Sequence, residues 1–119
     1  MNAINTNWDD ASEDNPIALL TRRMIKGEKM LVARINLAKG CHVARHHHDS
    51  EQIAIHISGE VLWRVGEPGS PEYREVTMRG GDVMVLPSNV PHSVDTIEDT
   101  VIIDALSPIG PMGVDSQKS

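Results

Sequence analysis

The sequence predicts an all-β fold, a sandwich or barrel, and three observations carry that expectation. Short apolar segments with a period of two recur along the chain, the clearest being Ile53-Ala54-Ile55-His56-Ile57-Ser58. Turn residues such as Gly27, Gly40, Gly59, Gly66 and Gly81 punctuate them at short intervals. Helical periodicity is nearly absent. At 119 residues the chain suits one domain with one core. Hydrophobic residues make up 39%, yet there is no Phe, one Tyr and two Trp, so the core has to be aliphatic.

The elements follow in order. Residues 1–16 are polar and acidic, with Asp9, Asp10, Glu13 and Asp14 close together, and read as a flexible N-terminal arm. Ile4 and Trp8 give that arm a means of anchoring on a partner subunit. Residues 17–24 enter the first strand of a domain spanning 17–108, and Gly27-Glu28-Lys29 makes a turn. Residues 30–37 form a strand whose alternation is clearest at Arg34, Ile35, Asn36 and Leu37. Ala38-Lys39-Gly40 turns the chain into a histidine-rich stretch. Residues 53–58 are a strand, Gly59-Glu60 a tight turn, and 61–65 the next strand. Residues 66–71 are a loop, since Pro68 and Pro71 cannot donate to a ladder. Strands at 73–78 and 83–86 flank a turn at 79–82, and Pro87 bounds the second. A short strand at 93–96, a turn at 97–99 and a last strand at 100–106 complete the domain. Residues 109–119 carry no strand or helix signal and read as a tail or lid.

Composition narrows the function. Eleven basic residues against 17 acidic ones give a net charge of -6. Nucleic-acid and anionic-membrane surfaces want basic patches, so neither is an expected partner. The single Cys41 excludes an internal disulfide framework and fits a reducing cytoplasm. No apolar run approaches membrane-spanning length, and the N-terminus lacks the pattern of a signal peptide.

The chemistry gathers in Gly40-Cys41-His42-Val43-Ala44-Arg45-His46-His47-His48-Asp49-Ser50-Glu51-Gln52. His46 and His48 are two apart, so on an extended strand they face one side, and Gln52 keeps that parity. Neutral imidazole nitrogens are common ligands of divalent transition ions, and a side-chain carbonyl oxygen is an acceptable partner. His92, after the apolar strand 83–86 and its turn, completes a predicted His46, His48, Gln52, His92 site. The alternative is a solvated histidine run or the scar of an affinity tag. Its internal position, between a Lys-Gly turn and an apolar strand, argues against a tag. Glu51, of opposite parity to Gln52, is expected to face away.

If Gln52 points inward, so do Ala54, His56 and Ser58, while Ile53, Ile55 and Ile57 point outward. Three outward isoleucines want a cover, and this predicts a homodimer packed partly through that face. The same parity puts His56 in the pocket, either in a catalytic role or as a buried histidine bonded to backbone.

Gly40, His46, His48, Gln52 and Gly59 keep every spacing of one motif of the small single-domain cupins, which the chain resembles. Gly81, Pro87 and His92 match a second motif, with Asn89 at a Gly position and Thr96 where Asn is usual. Asn tolerates φ > 0, so the turn survives the exchange. The resemblance spans about residues 20–108. It implies the cupin jelly roll, a double-stranded β-helix, holding one divalent ion, Zn, Mn, Ni or Fe.

Within that family the chain is most similar to the cupins of pectin and alginate breakdown that open 4,5-unsaturated uronates. The similarity lies in the His46 to Gln52 stretch, in Pro87 to His92, and in Glu98, Asp99, Val101, Asp104, Ser107 and Pro108. The family's catalytic Asp falls on Asp104, which shares a strand face with Ile102 and Leu106. An inward Asp104 would act as general acid/base, the alternative being a strand-end carboxylate paired with Arg. Leu106 replaces an aromatic, and no Arg follows Ser107-Pro108, which suggests a less anionic or more apolar substrate. Arg22, Arg23, Arg34 and Arg64 are the candidates to supply a cation instead. Three functions stay open. The first is a metal-dependent isomerase, ring-opening enzyme or lyase acting on a sugar-acid-like or other small oxygenated substrate. The second is an Fe(II)-dependent dioxygenase, and the third a non-catalytic metabolite-binding cupin.

Overall fold

The computed structural model describes residues 2–117. A 3-10 turn at Trp8–Asp10 precedes strands β1 (Glu13–Ile17), β2 (Leu20–Lys26), β3 (Leu31–Leu37), β4 (His42–His46), β5 (Glu51–Val65), β6 (Arg74–Arg79), β7 (Val83–Leu86) and β8 (His92–Ser107). A second 3-10 turn, Gly113–Ser116, follows. All the strand pairs are antiparallel. Among the described residues no helix is long and apolar enough to cross a membrane.

β5 and β8 organise the fold. They pair along their whole length, from Glu51 opposite Ser107 to Val65 opposite His92. Sequence reasoning divides each into two strands, with turns at Gly59-Glu60 and at 97–99. The structure corrects this: both strands run through, and the ladder shifts register between His56 and Val61. Gly59 sits there at φ +91°, so close to Asp99 O and Thr100 that a Cβ would collide with them. The chains therefore bend as a β-bulge instead of reversing.

The bend makes two sheets from one ladder. The first half of β5 lies between β7 and β8, and that part of β8 carries β3, β2 and β1. The second half of β5 lies between β6 and β8, where β8 also pairs β4. The result is the jelly-roll barrel of a single domain. Its core is aliphatic, with Leu20, Leu31, Val61, Leu86 and Leu106 almost wholly buried, and Trp63 joins them. The bulge also reverses parity, so Gln52, Ala54 and His56 face inward before it, and Val61, Trp63 and Val65 after it. The outward isoleucines are as expected: Ile53, Ile55 and Ile57 are 36%, 38% and 51% exposed, beside Val83 and Val85 of β7.

The two ends hold more structure than their composition suggests. Residues 13–16, read as part of a flexible arm, belong to β1 and pair with β2 through Glu13–Arg23 and Asp14–Arg22. The Arg23 guanidinium donates to Ala11 O at 2.6 Å and Trp8 O at 3.3 Å. In the C-terminal segment, Met112 and Val114 are buried against the barrel. Met1, Lys118 and Ser119, the outermost residues of the predicted arm and tail, lie outside the described residues.

Because the crossing depends on the missing side chain, Gly59→Ala is predicted to destabilise the fold by at least about 2 kcal/mol. Chemical denaturation measures this; an unchanged midpoint would contradict the crossing described.

Candidate metal centre

His46 ends β4 and His92 begins β8, and the two are register partners. His48 lies in the loop between β4 and β5, not on a continuous strand as the spacing suggests. That loop is held by the turn after β7, where Asn89 adopts φ +64° and its N–H donates to His48 O at 2.8 Å. The two sequence motifs thus meet through backbone. One ligand nitrogen each from His46, His48 and His92 lies within 4.8 Å of the others.

The tautomers are fixed by the backbone. His46 Nδ1 donates to Ala44 O, His48 Nδ1 to Ser50 O and His92 Nδ1 to Val90 O, each at 2.9 Å. This leaves the three Nε2 lone pairs as donors, the second-sphere arrangement that metal-ligating histidines use. Gln52 Oε1 lies 3.0 Å from His48 Nε2, while the Gln52 amide also acts on Asp104. Two lone-pair atoms facing each other at that distance are satisfied by a cation. The donor set therefore fits a divalent ion held by His46, His48, Gln52 and His92. Burial, reinforced by the neighbouring histidines, lowers the His92 pKa to about 4, and burial lowers that of His46 as well. Both stay neutral at pH 7, as ligation requires.

Asp104 comes from the other half of β8, opposite Ala33 of β3 and Ala54 of β5. Both alanines are fully buried and small, so the carboxyl is left beside open space. It lines one cavity with His46, Gln52, Trp63 and His92. Its Oδ1 has no hydrogen-bond partner, and burial pushes its pKa up to about 7 against the opposing pull of the Gln52 amide. Met112, Gly113 and Val114 close the cavity, and a Cβ on Gly113 would collide with the His46 ring.

His56 is not brought into this constellation. Its Nδ1 donates to Asp82 O at 3.0 Å and its Nε2 accepts from Trp63 Nε1 at 2.9 Å, so both nitrogens are taken. This is the geometry of the backbone-bonded alternative, outside the histidine cluster. Sequence reasoning missed Trp63, whose ring centroid lies 5.8 Å from that of His92; only the parity reversal at the bulge turns it inward. Glu51 is exposed, as expected. Of the arginines weighed, Arg34 is exposed, Arg23 holds the N-terminal segment, and Arg64 pairs with Asp95 and Glu75, leaving Arg22 on an inward face.

Comparison with known proteins places this architecture. The family model described as the cupin domain (Cupin_2) matches residues 33–106. The chain is a cupin. Among solved structures, an RmlC-like cupin from Shewanella frigidimarina superposes with a TM-score of 0.77 at 20% identity, covering 87% of this chain and 89% of that one. KdgF from Halomonas sp. gives 0.72 at 20% identity, covering 86% and 92%. At such identities these cupins show the fold alone. The 3-hydroxyanthranilate 3,4-dioxygenase of Bos taurus is 33% identical over 72 residues, which is 60% of this chain but 23% of that enzyme. This cupin therefore matches about a quarter of the length of its curated relatives.

A pH test isolates Asp104. In the unfolded chain it ionises from about 3.8, whereas in the fold it keeps its proton to about 7, so the parent loses stability as pH rises through that window. In metal-free protein, Asp104→Asn is predicted to gain stability relative to the parent between pH 4 and 7, by up to about 4 kcal/mol. Urea denaturation at the two pH values checks it, and a flat difference would contradict the buried, protonated carboxyl.

Proposed function

We propose that this cupin is a metal-dependent enzyme acting on a small oxygenated substrate of sugar-acid type, by isomerase, ring-opening or lyase chemistry. One observation carries the reading: a buried carboxyl with a free Oδ1 shares its cavity with His46, His92 and Gln52, and His48 clusters with those two imidazoles. A divalent Zn, Mn, Ni or Fe ion on His46, His48, Gln52 and His92 would supply Lewis acidity toward substrate oxygens. Asp104, with its proton affinity near neutrality, is suited to give that proton to a substrate carbon or oxygen and take it back. Leu20, Ile35, Leu37 and Ile102 keep the cavity wall apolar, which limits water and strengthens every polar contact inside.

The 33% match to a dioxygenase favours a second reading, O2-dependent chemistry on Fe(II). One experiment separates the two. Protein purified without a tag is analysed for metal, then assayed with and without O2 on a 4,5-unsaturated uronate and on 3-hydroxyanthranilate, beside Asp104→Asn. The expected result is near-stoichiometric metal in both proteins, O2-independent turnover of the uronate by the parent, and at least about a 100-fold loss in the variant. Turnover that requires O2 would transfer the assignment to the second reading. Metal binding with intact turnover by Asp104→Asn would remove Asp104 from the chemistry.

We also propose a cytoplasmic homodimer. Ile53, Ile55, Ile57, Val83 and Val85 form a contiguous branched face on paired strands, and a second copy can cover it with the same face. The lone Cys41 is free and buried, as a reducing compartment permits. Sedimentation should find a dimer for the parent and a monomer for Ile55→Lys, Val85→Lys; a monomeric parent would refute the interface.

A further inference from the structure

Arg22 is the only buried arginine among the described residues. It lies on the inward face of β2 with Leu20, opposite Ile35, and both of those neighbours line the metal-site cavity. Its Nε and Nη2 donate to the two oxygens of Asp14 at 3.0 and 2.8 Å. Nη2 also donates to Asp115 Oδ1 at 2.7 Å. Nη1 meets Met112 Sδ at 3.6 Å, and a thioether is a poor acceptor for a charged donor. One edge of a buried guanidinium is thus matched to a carboxylate, and the other is only half matched.

Met112 and Asp115 belong to the same short segment, the one that closes the cavity. Asp115 Oδ2 accepts from Met112 N at 3.0 Å, and the Gln117 side chain pairs with the Ala44 backbone at 2.9 and 3.0 Å. With the segment in place the cavity holds about 50 Å³. That admits a few waters, whereas pockets for small molecules run to roughly 300–1,000 Å³. A six-carbon substrate reaches His46 and Asp104 only when this segment withdraws. Its withdrawal removes Asp115 and Met112 from Arg22 together, leaving Asp14 on one edge and the other edge open to the space vacated.

We propose that Arg22 binds a carboxylate of the substrate and that Asp115 stands in for that carboxylate in the closed state. Substrate entry then exchanges the protein's own anion for the ligand's, so Arg22 keeps two carboxylate partners in both states. This supplies the cation that the sequence lacks after Ser107-Pro108, from a different strand. It reverses the expectation of a less anionic substrate. The proposal rests on the reading that this cavity takes a small oxygenated ligand.

Salicylate and its uncharged counterpart salicylamide test it by calorimetric titration of zinc-reconstituted protein. Three samples are compared, the parent, Asp115→Asn, and Arg22→Gln with Asp115→Asn. The double variant avoids leaving Asp115 without its cation, and circular dichroism verifies its fold. The parent should prefer salicylate by about tenfold or more, as a charge-assisted bidentate pair would give. Asp115→Asn should bind salicylate several-fold tighter than the parent, and the double variant should lose the preference while still binding salicylamide. A preference that survives without Arg22, no gain in Asp115→Asn, or no binding by any sample would overturn the proposal. The titrations are repeated after chelation, where the Arg22-dependent preference should persist. Protein that takes up no zinc on reconstitution but keeps this preference would refute the metal-enzyme reading alone.

Discussion

Everything in this fold depends on how closely β5 and β8 approach at Gly59. Because the strands stay paired through that point, each bends and serves two sheets, and the cavity opens between the halves. One half carries His46 and His92 as register partners, and the other carries Gln52 and Asp104. A reversal at Gly59 would separate these two halves. The same bulge changes parity, so Trp63 points inward and meets His56. The positions of the three histidines, Gln52, Asp104 and the apolar wall are thus fixed by backbone geometry before any side-chain preference acts.

A single physical cause then sets the electrostatics. Burial disfavours charge, so it lowers the pKa values of His46 and His92 and raises that of Asp104. Opposite shifts leave His46 and His92 neutral near pH 7 and bring Asp104 to the middle of its titration there. Three imidazoles with their Nδ1 protons committed to carbonyls cannot satisfy one another, and Gln52 adds a further lone pair. Such a pocket suits a cation, because the Nδ1 hydrogen bonds leave the Nε2 lone pairs to face it.

Much of this was legible in the chain. Strict alternation over 53–58 gives the strand, its inward face and the exposed isoleucines, because a period of two has one solution. Histidine spacing points to the cluster of His46, His48 and His92 that the fold brings together, although His48 proves to sit in a loop whose backbone is pinned by Asn89. The running strands past Gly59 were not legible, since a glycine reads equally as turn or bulge until its partner is known. His56 shows the limit of parity: it does face inward, but Trp63, displaced in register by the bulge, takes its second nitrogen. Arg22 could not be singled out among four arginines, because its burial depends on a C-terminal segment with no periodicity of its own.

The central claim is that neutral nitrogen and oxygen donors hold one divalent ion at the junction of the two sheets. X-ray absorption at the zinc edge of reconstituted, tag-free protein tests it most directly. The structure predicts one zinc per chain, with imidazole scattering and nitrogen or oxygen neighbours at about 2.0–2.2 Å. Failure to retain zinc, or a shell containing sulfur from Cys41 or Met112 near 2.3 Å, would contradict it.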